Sequence, residues 1–411
     1  MSSKYKNVIV NFISLVILQA GNYIVPLVLT PYIIMKIGVE EFGVLSFAIA
    51  ISMFFRAVIS YGFDLSGTKI IAESSSDNHK VSNFFQDIIY AKTCLALLCF
   101  IVMVVLLAII PAFNTVKDLL FALFILGVAD VIFPVWFYQG MQKMKAITIL
   151  KLSGKFLFVG LTIFIVESSR DTLYIPLIEG LVTLLTSLIS FFWAVKKYNL
   201  VFQMPELKRI IDVLKSSWYV FVSKIAVLFY TRLNVVLLGL LSSSLMVGYY
   251  SVAEKIYMAI REMLNPLIQA VFPYLSKLRV KKIDEYNKLV RIFFLLFLGV
   301  LFISAITLYL FREQILAVLL KEENIYIQNI LSVFSFCLLF SVGSVLSTIL
   351  VIEDRGQLLS KITLSTVAVN MIIVYPLASN YEALGLAICF LIVQIAHFIM
   401  QLSANRNIFS R

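Results

Sequence analysis

The sequence predicts an all-α membrane protein of about twelve transmembrane helices, arranged as two pseudo-symmetric six-helix lobes around a central cavity. Hydrophobic residues make up 61% of the 411 residues and charged residues only 14%, whereas a soluble domain is about 45–50% apolar and about 25% charged. Apolar stretches long enough to cross a bilayer recur along the chain, and one in the first half matches one in the second. This composition disfavours a water-soluble enzyme.

Twelve apolar stretches provide the predicted spans. All but the 16-residue stretch at 362–377 have close to the roughly 20 residues that a bilayer requires, or more, and the hydrophilic connections between them are too short for a soluble domain. The first six are 7–35, 44–63, 88–110, 119–139, 148–166 and 173–195, and the second six are 218–240, 248–271, 289–311, 325–352, 362–377 and 383–402.

An internal repeat relates the two halves, which we expect at 1–200 and 218–411, joined by a cytoplasmic linker at 201–217. Residues 42–56 align with 247–261, and six of the fifteen positions are identical. Each half has an even number of spans, which predicts a parallel repeat whose halves begin on the same side of the membrane. The identical pairs are Gly43/Gly248, Ser46/Ser251, Ala48/Ala253, Ile51/Ile256, Met53/Met258 and Arg56/Arg261.

The positions of lysine and arginine predict the orientation. If the N-terminus is cytoplasmic, 23 of the 34 basic residues lie on the cytoplasmic side and only 5 lie in outer loops, as the positive-inside rule requires. Both termini are therefore expected in the cytoplasm. This topology accounts for the net charge of +11, so nucleic acid is not an expected partner.

Ionisable residues inside the spans are the candidate site residues. Each costs at least about 2.5–3.5 kcal/mol at the bilayer centre, so such groups face a wet cavity or pair with one another. Five cations could line a cavity for an anionic, phosphate-bearing substrate, and four carboxylates could couple protons or form ion pairs. Two amides could bind sugar hydroxyls or neighbouring helices. The cations are Arg56, Lys224, Arg232, Lys255 and Arg261, the carboxylates are Asp130, Glu179, Glu254 and Glu262, and the amides are Gln19 and Asn22.

Two further polar residues have simpler predicted roles. Lys92, near the cytoplasmic end of the third span, is expected to extend to the interface and anchor its helix. His397 is expected to be a packed, hydrogen-bonded histidine, with a proton relay as the alternative. The sequence contains no nucleotide-binding loop, metal-ligand spacing or catalytic motif, so neither a metal nor a cofactor is expected. An ion gradient, of H⁺ or Na⁺, is the expected energy source.

Several segments together resemble the bacterial polysaccharide flippases of the O-antigen (Wzx) type. They are 38–43, 61–68, 133–141, 247–256, 265–266 and 272–277. The resemblance implies a fold like that of multidrug extruders of the MATE type and a location in the bacterial inner membrane. It also implies alternating access and proton-linked antiport. The chain departs from the common family pattern at Ser60, Asp64 and Gln142.

The substrate implied by the resemblance is an undecaprenyl-diphosphate-linked oligosaccharide, an O-antigen or capsule repeat unit. The protein would move it from the cytoplasmic to the periplasmic leaflet for lipopolysaccharide biosynthesis, alongside membrane lipid and other polysaccharide-assembly membrane proteins. A multidrug extruder of the same fold is the first alternative, although carboxylates would dominate its cavity. A polysaccharide polymerase is the second, although it usually has larger loops. A transporter, and not an enzyme, is therefore expected.

Overall fold

The computed structural model describes the backbone of residues 3–74, 77–203, 205–320 and 324–406. Side chains are described over the same ranges except at 3–20, 22–24, 27, 146, 230, 266, 269–270, 273 and 280–281. Within these ranges the chain is almost entirely helical and contains no strand. The all-α prediction is therefore confirmed.

Sixteen α-helices follow one another along the described ranges, and a 3₁₀ turn at Ser169–Asp171 precedes the eighth. They are α1 (Ser3–Ser60), α2 (Phe63–Ser74), α3 (Asn78–Ile109), α4 (Pro111–Asn114), α5 (Lys117–Ile132), α6 (Val135–Gly140), α7 (Met144–Ile165), α8 (Tyr174–Tyr198), α9 (Leu207–Thr231), α10 (Leu233–Leu241), α11 (Ser244–Lys281), α12 (Ile283–Leu310), α13 (Arg312–Leu320), α14 (Ile325–Phe340), α15 (Gly343–Ile352) and α16 (Gly356–Ala404).

The twelve predicted spans all fall on these helices, each on one helix or on two consecutive ones. By length and apolar composition, eight helices in the described ranges can cross a membrane, or nine if the bent pair α9 and α10 forms one span. The protein is therefore a multi-pass membrane protein, as predicted. The count of twelve stays a prediction, because charged helices such as α11 have a low mean hydropathy.

Single backbone breaks divide α1 and α16, each of which contains two predicted spans. Gly38 in α1 has a φ of 83°, a left-handed conformation that glycine adopts without steric cost. Glu382 in α16 has a φ of 48°, which is strained for a residue with a side chain. The Ser242 hydroxyl donates a 2.7 Å hydrogen bond to the Glu382 carboxylate, and this contact helps to hold the break.

A proline breaks the fourth predicted span into α5 and α6. The ring of Pro134 disfavours a helical conformation for the preceding residue, and Phe133 is extended, with φ −75° and ψ 106°. The α5 helix therefore ends part-way along the predicted span. Its last carbonyl groups have no partner in the following turn of helix.

The chain forms two compact units. Unit 1 consists of Met1–Ile37 and Phe47–Leu228, and unit 2 consists of Gly38–Ser46 and Phe229–Arg411. Unit 1 has an aromatic core in which Phe85, Trp136 and Phe137 are fully buried, and unit 2 has a core around Tyr286 and Leu346. The predicted division into lobes at 1–200 and 218–411 with a linker between them stays a prediction.

The segment that precedes α9 is fastened to α3 within unit 1. Ser82 Oγ donates to the Val201 carbonyl at 2.9 Å and accepts from the Val201 N–H at 2.8 Å. The Gln203 N–H donates to the Gln86 side chain at 2.7 Å, and Arg209 binds the buried Asp87 carboxylate at 2.8 Å. The beginning of α9 is therefore held against α3 by side-chain contacts.

Two repeat-related glycines form a close backbone contact in unit 2. A Cβ atom on Gly43 would lie 2.0 Å from the Ser244 carbonyl oxygen and 2.6 Å from the Gly248 nitrogen. A Cβ atom on Gly248 would lie 2.1 Å from the Val39 carbonyl oxygen. Only residues without a side chain allow this approach. The identity at these two positions therefore has a packing reason.

Candidate functional site

Arg56 of α1 and Asp130 of α5 form a two-pronged ion pair in unit 1. Arg56 Nε donates to Asp130 Oδ2 at 2.6 Å, and Nη2 donates to Oδ1 at 3.2 Å. Their side chains remain 35% and 30% exposed. The narrow crevice beside Arg56 is lined mainly by apolar side chains such as Phe55, Ile59 and Met103, and it has no room for a water molecule. A ligand could reach this arginine through the crevice only after the helices moved.

Lys224 of α9 and Asp64 of α2 form a second ion pair in unit 1. Lys224 Nζ lies 2.7 Å from Asp64 Oδ2, and the Ser60 hydroxyl donates to the same oxygen at 3.1 Å. Asp64 was not a predicted site residue, although it departs from the family pattern at this position. That departure was the signal in the sequence that could have identified it.

Two lysines lie at the C-terminal end of α5. Lys92 of α3 is only 3% exposed, and its ammonium group donates to the Asp130 backbone carbonyl. The prediction that Lys92 extends to the interface is therefore wrong, because its side chain is used inside the unit. Lys151 of α7 lies with Nζ 5.2 Å from the centre of the Phe133 ring. Lys151 lies about two turns into α7, which begins at Met144.

The carboxylates of the first half differ in their surroundings. Asp130 is engaged by Arg56, so it has the ion-pair partner that was one of its two predicted roles. Glu179 of α8 is half-buried and interacts electrostatically with Arg56 and Lys155. Proton coupling through either carboxylate stays a prediction.

Unit 2 contains an ion pair at the start of α10. Arg232 Nη1 lies 3.6 Å from Glu254 Oε2, with the glutamate side chain 4% exposed and the arginine 26% exposed. Asn234, two residues after Arg232, accepts a 3.2 Å hydrogen bond at Oδ1 from the Asn370 amide. Both asparagines are buried. This asparagine pair was not predicted, since single asparagines in apolar stretches have no distinctive pattern.

The other predicted residues of α11 are less closely associated. Lys255 is exposed, whereas its neighbour Glu254, about 100° away around the helix, is buried. Arg261 is half-buried, with Nη1 3.9 Å from the Met258 sulfur. Glu262 accepts a hydrogen bond from the Asn265 amide. The predicted residues Gln19 and Asn22 lie outside the described side chains.

His397 has hydrogen bonds on both ring nitrogens. Nδ1 lies 2.8 Å from the Thr366 hydroxyl, and Nε2 lies 2.7 Å from the Gln401 amide nitrogen. The Thr366 hydroxyl donates to the Ile362 carbonyl, so it accepts from the histidine. The expectation of a packed, hydrogen-bonded histidine is confirmed.

The described part of the chain contains no group of three or more His, Cys, Asp or Glu side chains arranged to hold a metal ion. The ion pairs described above, Arg56–Asp130, Lys224–Asp64 and Arg232–Glu254, each consist of one carboxylate and one cation. Such a pair leaves N–H donors of the cation accessible and can exchange the carboxylate for another oxyanion, such as a phosphate.

The family model described as polysaccharide biosynthesis protein matches residues 8–279 of this chain. Two curated relatives have the name "Putative O-antigen transporter". The protein from Shigella dysenteriae is 28% identical over 396 residues, covering 96% of this chain and 99% of the relative. The protein from Escherichia coli (strain K12) is 25% identical over 407 residues, covering 97% and 96%.

Two solved structures share the fold. One is described as lipid II flippase MurJ in an inward closed conformation, with a TM-score of 0.74, 15% identity, and coverage of 97% of this chain and 87% of that chain. The other is an inward-facing multidrug resistance MATE family transporter of the MOP superfamily, with a TM-score of 0.65, 15% identity, and coverage of 97% and 98%. The predicted MATE-like fold is confirmed by these similarities.

Proposed function

The chain belongs to the polysaccharide biosynthesis protein family, and we propose that it is a flippase for undecaprenyl-diphosphate-linked O-antigen or capsule repeat units. It moves them from the cytoplasmic to the periplasmic leaflet of the bacterial inner membrane by alternating access, and both of its termini are cytoplasmic. It is a transporter and not an enzyme. The names of its relatives and the transporter fold support this proposal.

The observation that carries the proposal is that cations inside the predicted spans are paired with carboxylates and remain partly exposed. Arg56, Lys224 and Arg232 are each held by one carboxylate, yet their side chains remain between 26% and 35% exposed. Partial exposure leaves donors available to a second anion, whereas a purely structural buried pair would be sealed from solvent. An anionic head group that enters the protein therefore finds cations already placed for it.

The same pairs provide a way to bind and release the cargo. A phosphate group that replaces Asp130 at Arg56 keeps the arginine neutralised and frees the carboxylate. A freed carboxylate at membrane depth is poorly solvated and needs a cation to compensate its charge. Substrate binding would then be linked to the uptake of a cation, which we propose is H⁺. This linkage is one route to ion coupling, with Na⁺ as the alternative ion.

A multidrug extruder is the main competing function for this fold. Selection of cationic drugs would require carboxylates without cationic partners at the cavity. In the described ranges, Asp64, Asp130 and Glu254 are all engaged by lysine or arginine. The arrangement therefore favours an anionic cargo.

The test is complementation of a host strain in which the resident flippase gene is deleted and the matching sugar pathway is retained. The wild-type chain should restore polymerised surface polysaccharide, and the deletion strain should retain complete lipid-linked repeat units in the cytoplasmic leaflet. Unpolymerised units already in the periplasmic leaflet of the deletion strain would contradict flipping and favour a polymerase.

A double variant, Arg56→Ala with Arg261→Ala, tests the assignment of the cations. We expect export to fall at least tenfold at equal protein level, because two phosphate-binding donors are lost. The matched control is Arg170→Ala, which removes an exposed arginine from the 3₁₀ turn. Unchanged export by the double variant would show that the cargo path lies elsewhere.

A further inference from the structure

We propose that the first half of α9 lies against the surface of the bilayer and binds anionic phospholipid head groups through Lys208 and Lys215. The inference goes beyond the proposed function, because it concerns the lipid around the protein and not the cargo. All the residues that carry it belong to unit 1. Neither lysine was a predicted site residue, since both lie in the predicted cytoplasmic linker.

The α9 helix begins eleven residues before the span that the sequence predicts. It starts at Leu207, whereas the predicted span starts at Trp218. The intervening segment, 207–217, contains four charged residues and five large apolar ones. It is too charged for the hydrocarbon core and too apolar for a linker surrounded by water. Such a composition is typical of a helix at the boundary between lipid and water.

The first half of α9 has two apolar faces. One packs within unit 1, where Val213 is buried in the aromatic core and Ile210 and Leu214 lie against it. The other face is open, and its first residue, Leu207, is 71% exposed. We call this second face the exposed stripe. At about 100° of rotation per residue, its members fall within about 60° of one another around the helix. They are Leu207, Ile211, Trp218 and Val222.

Charged side chains follow the exposed stripe in a definite order around the helix. Lys215 and Lys208 lie about 20° and 40° beyond Val222, and Asp212 lies about 80° beyond it. All three charged side chains are exposed. Apolar groups therefore come first, ammonium groups next and the carboxylate last. A helix segment against a bilayer surface needs this order, because acyl chains, phosphate groups and water succeed one another outward from the membrane.

The two lysines are available to an anion outside the protein. In the described part of the chain, no ion pair involves Lys208 or Lys215. The neighbouring Arg209 is already bound by Asp87 at 2.8 Å. The other charged side chains of residues 196–215 are four lysines and two carboxylates, all of them exposed. This excess of positive charge attracts anionic lipids more strongly than zwitterionic ones.

Aromatic residues typical of a membrane surface adjoin the same segment. Trp218 is exposed, and Tyr219 is 83% exposed. At the end of α8, Trp193 is also exposed, and Lys197 Nζ lies 4.4 Å from the centre of its ring. Tryptophan and tyrosine concentrate where a bilayer meets water. The end of α8 and the beginning of α9 thus both combine open aromatic rings with lysines.

The experiment measures which lipids contact Trp218, one of three tryptophans in the chain. Trp136 is fully buried, and the substitution Trp193→Phe removes the other exposed tryptophan. The full-length Trp193→Phe protein is reconstituted in phosphatidylcholine vesicles that also contain brominated phosphatidylcholine or brominated phosphatidylglycerol. Bromine atoms on acyl chains quench the fluorescence of a tryptophan that they contact. Comparison of the two lipids therefore gives their relative affinity for the exposed stripe.

A double variant, Lys208→Gln with Lys215→Gln, removes both charges and keeps polar side chains at the two positions. The matched control is Lys69→Gln with Lys80→Gln. It removes two other exposed lysines of unit 1, which pair with Glu73 and Asp77. The variant and the control have the same net charge. A difference between them therefore reports the position of the lysines and not the overall charge.

We expect Trp218 to show a preference of at least about fivefold for phosphatidylglycerol, which is about 1 kcal/mol. The double variant should quench equally with the two lipids, and the control should keep the preference. Salt screens exposed charges, so high salt should also remove the preference while quenching by phosphatidylcholine stays unchanged.

Equal quenching by the two lipids when both lysines are present would overturn the proposal, and so would a preference that survives in the double variant. An absence of quenching by either lipid would also overturn it, because the exposed stripe would then not face the bilayer. None of these results concerns the cargo. The complementation experiment therefore decides the flippase function independently.

Discussion

Replacement of Gly248 by alanine tests the close contact between the repeat-related glycines. The added Cβ atom would lie 2.1 Å from the Val39 carbonyl oxygen and 2.9 Å from a side-chain carbon of the same residue. The nearer atom belongs to the backbone, so it cannot rotate away as a side chain would. The segment that contains Val39 and Gly43 must therefore move by about 1 Å from α11, since a carbon and an oxygen in contact lie at least about 3.3 Å apart.

The expected change in the free energy of unfolding is the balance of two opposing effects. Overpacking costs about 1–3 kcal/mol, whereas alanine is favoured over glycine within a helix by up to about 1 kcal/mol. A clash with the backbone takes the upper end of the overpacking range, about 3 kcal/mol, so a net destabilisation of about 2 kcal/mol follows. In a unit of about 190 residues, each kcal/mol lowers the unfolding midpoint by about 2–4 °C. Gly248→Ala should therefore lower the midpoint by about 4–8 °C.

The assay is thermal unfolding of the purified protein in one detergent, followed by intrinsic tryptophan fluorescence. Two control substitutions, Gly299→Ala in α12 and Gly160→Ala in α7, add the same methyl group where no atom lies within 4 Å. Both controls should leave the midpoint unchanged or raise it by a few degrees. If Gly248→Ala behaves like these controls, then the two glycines do not approach as closely as described here.

Three further predictions concern the contacts between helices and the helix ends. The hydroxyl oxygens of Ser66 and Ser217 lie 2.7 Å apart, so cysteines at both positions should form a disulfide. The pair is introduced into a background that lacks the exposed Cys94. If α2 and α9 separate during transport, oxidation of the pair should stop export. Reductant should restore export, each single cysteine variant should remain active, and full export by the oxidised pair would contradict this movement. Asn324→Ala removes the side chain that caps α14 and should cost about 1 kcal/mol by thermal unfolding, whereas Asn324→Asp should retain the cap; equal midpoints for the two variants would refute it. The N–H groups of Lys80 and His79 donate to Asp77 at the start of α3 and hold the pKa of that carboxyl below its ordinary value. The stabilising effect of the Asp77 cap is therefore present above the unfolded pKa of about 3.9. It is lost as the pH falls through the lower pKa of the folded state. Hydrogen exchange at the start of α3 should therefore speed up in acid in the wild type, relative to Asp77→Asn, which keeps a cap that cannot be protonated; identical pH profiles would exclude this role.

Several features of the candidate site could be recognised from the sequence because they interrupt apolar stretches. Arg56, Asp130 and Glu254 lie in the middle of predicted spans, where any ionisable residue is conspicuous. The structure places all three in ion pairs. Pairing was one of the two roles predicted for the carboxylates, and their role in transport stays a prediction.

Other features could not be recognised, because their local sequence has an ordinary explanation. Lys92 and Lys151 lie near the ends of predicted spans, where a lysine usually extends to the interface. Asp64 follows a span and resembles any residue of a connecting loop. Each meets its partner only in the folded chain: Lys92 contacts the end of α5, Lys151 lies over the Phe133 ring, and Asp64 pairs with Lys224.

The sequence by itself determined that the protein is helical, lies in a membrane and passes through it many times. These properties follow from the cost of placing backbone and side-chain groups in lipid, which adds up along a contiguous stretch and needs no knowledge of other stretches. The proline in the fourth span is local in the same sense, because it determines where a helix ends.

Only the tertiary structure decided which charges meet. Arg56 and Asp130 are separated by 74 residues, and Lys224 and Asp64 by 160. Coulomb attraction depends on the distance between groups in space, and that distance is set by how the helices pack. The cations inside the membrane could therefore be counted from the sequence. The fold alone showed that Arg56 meets Asp130 and that Lys224 meets Asp64.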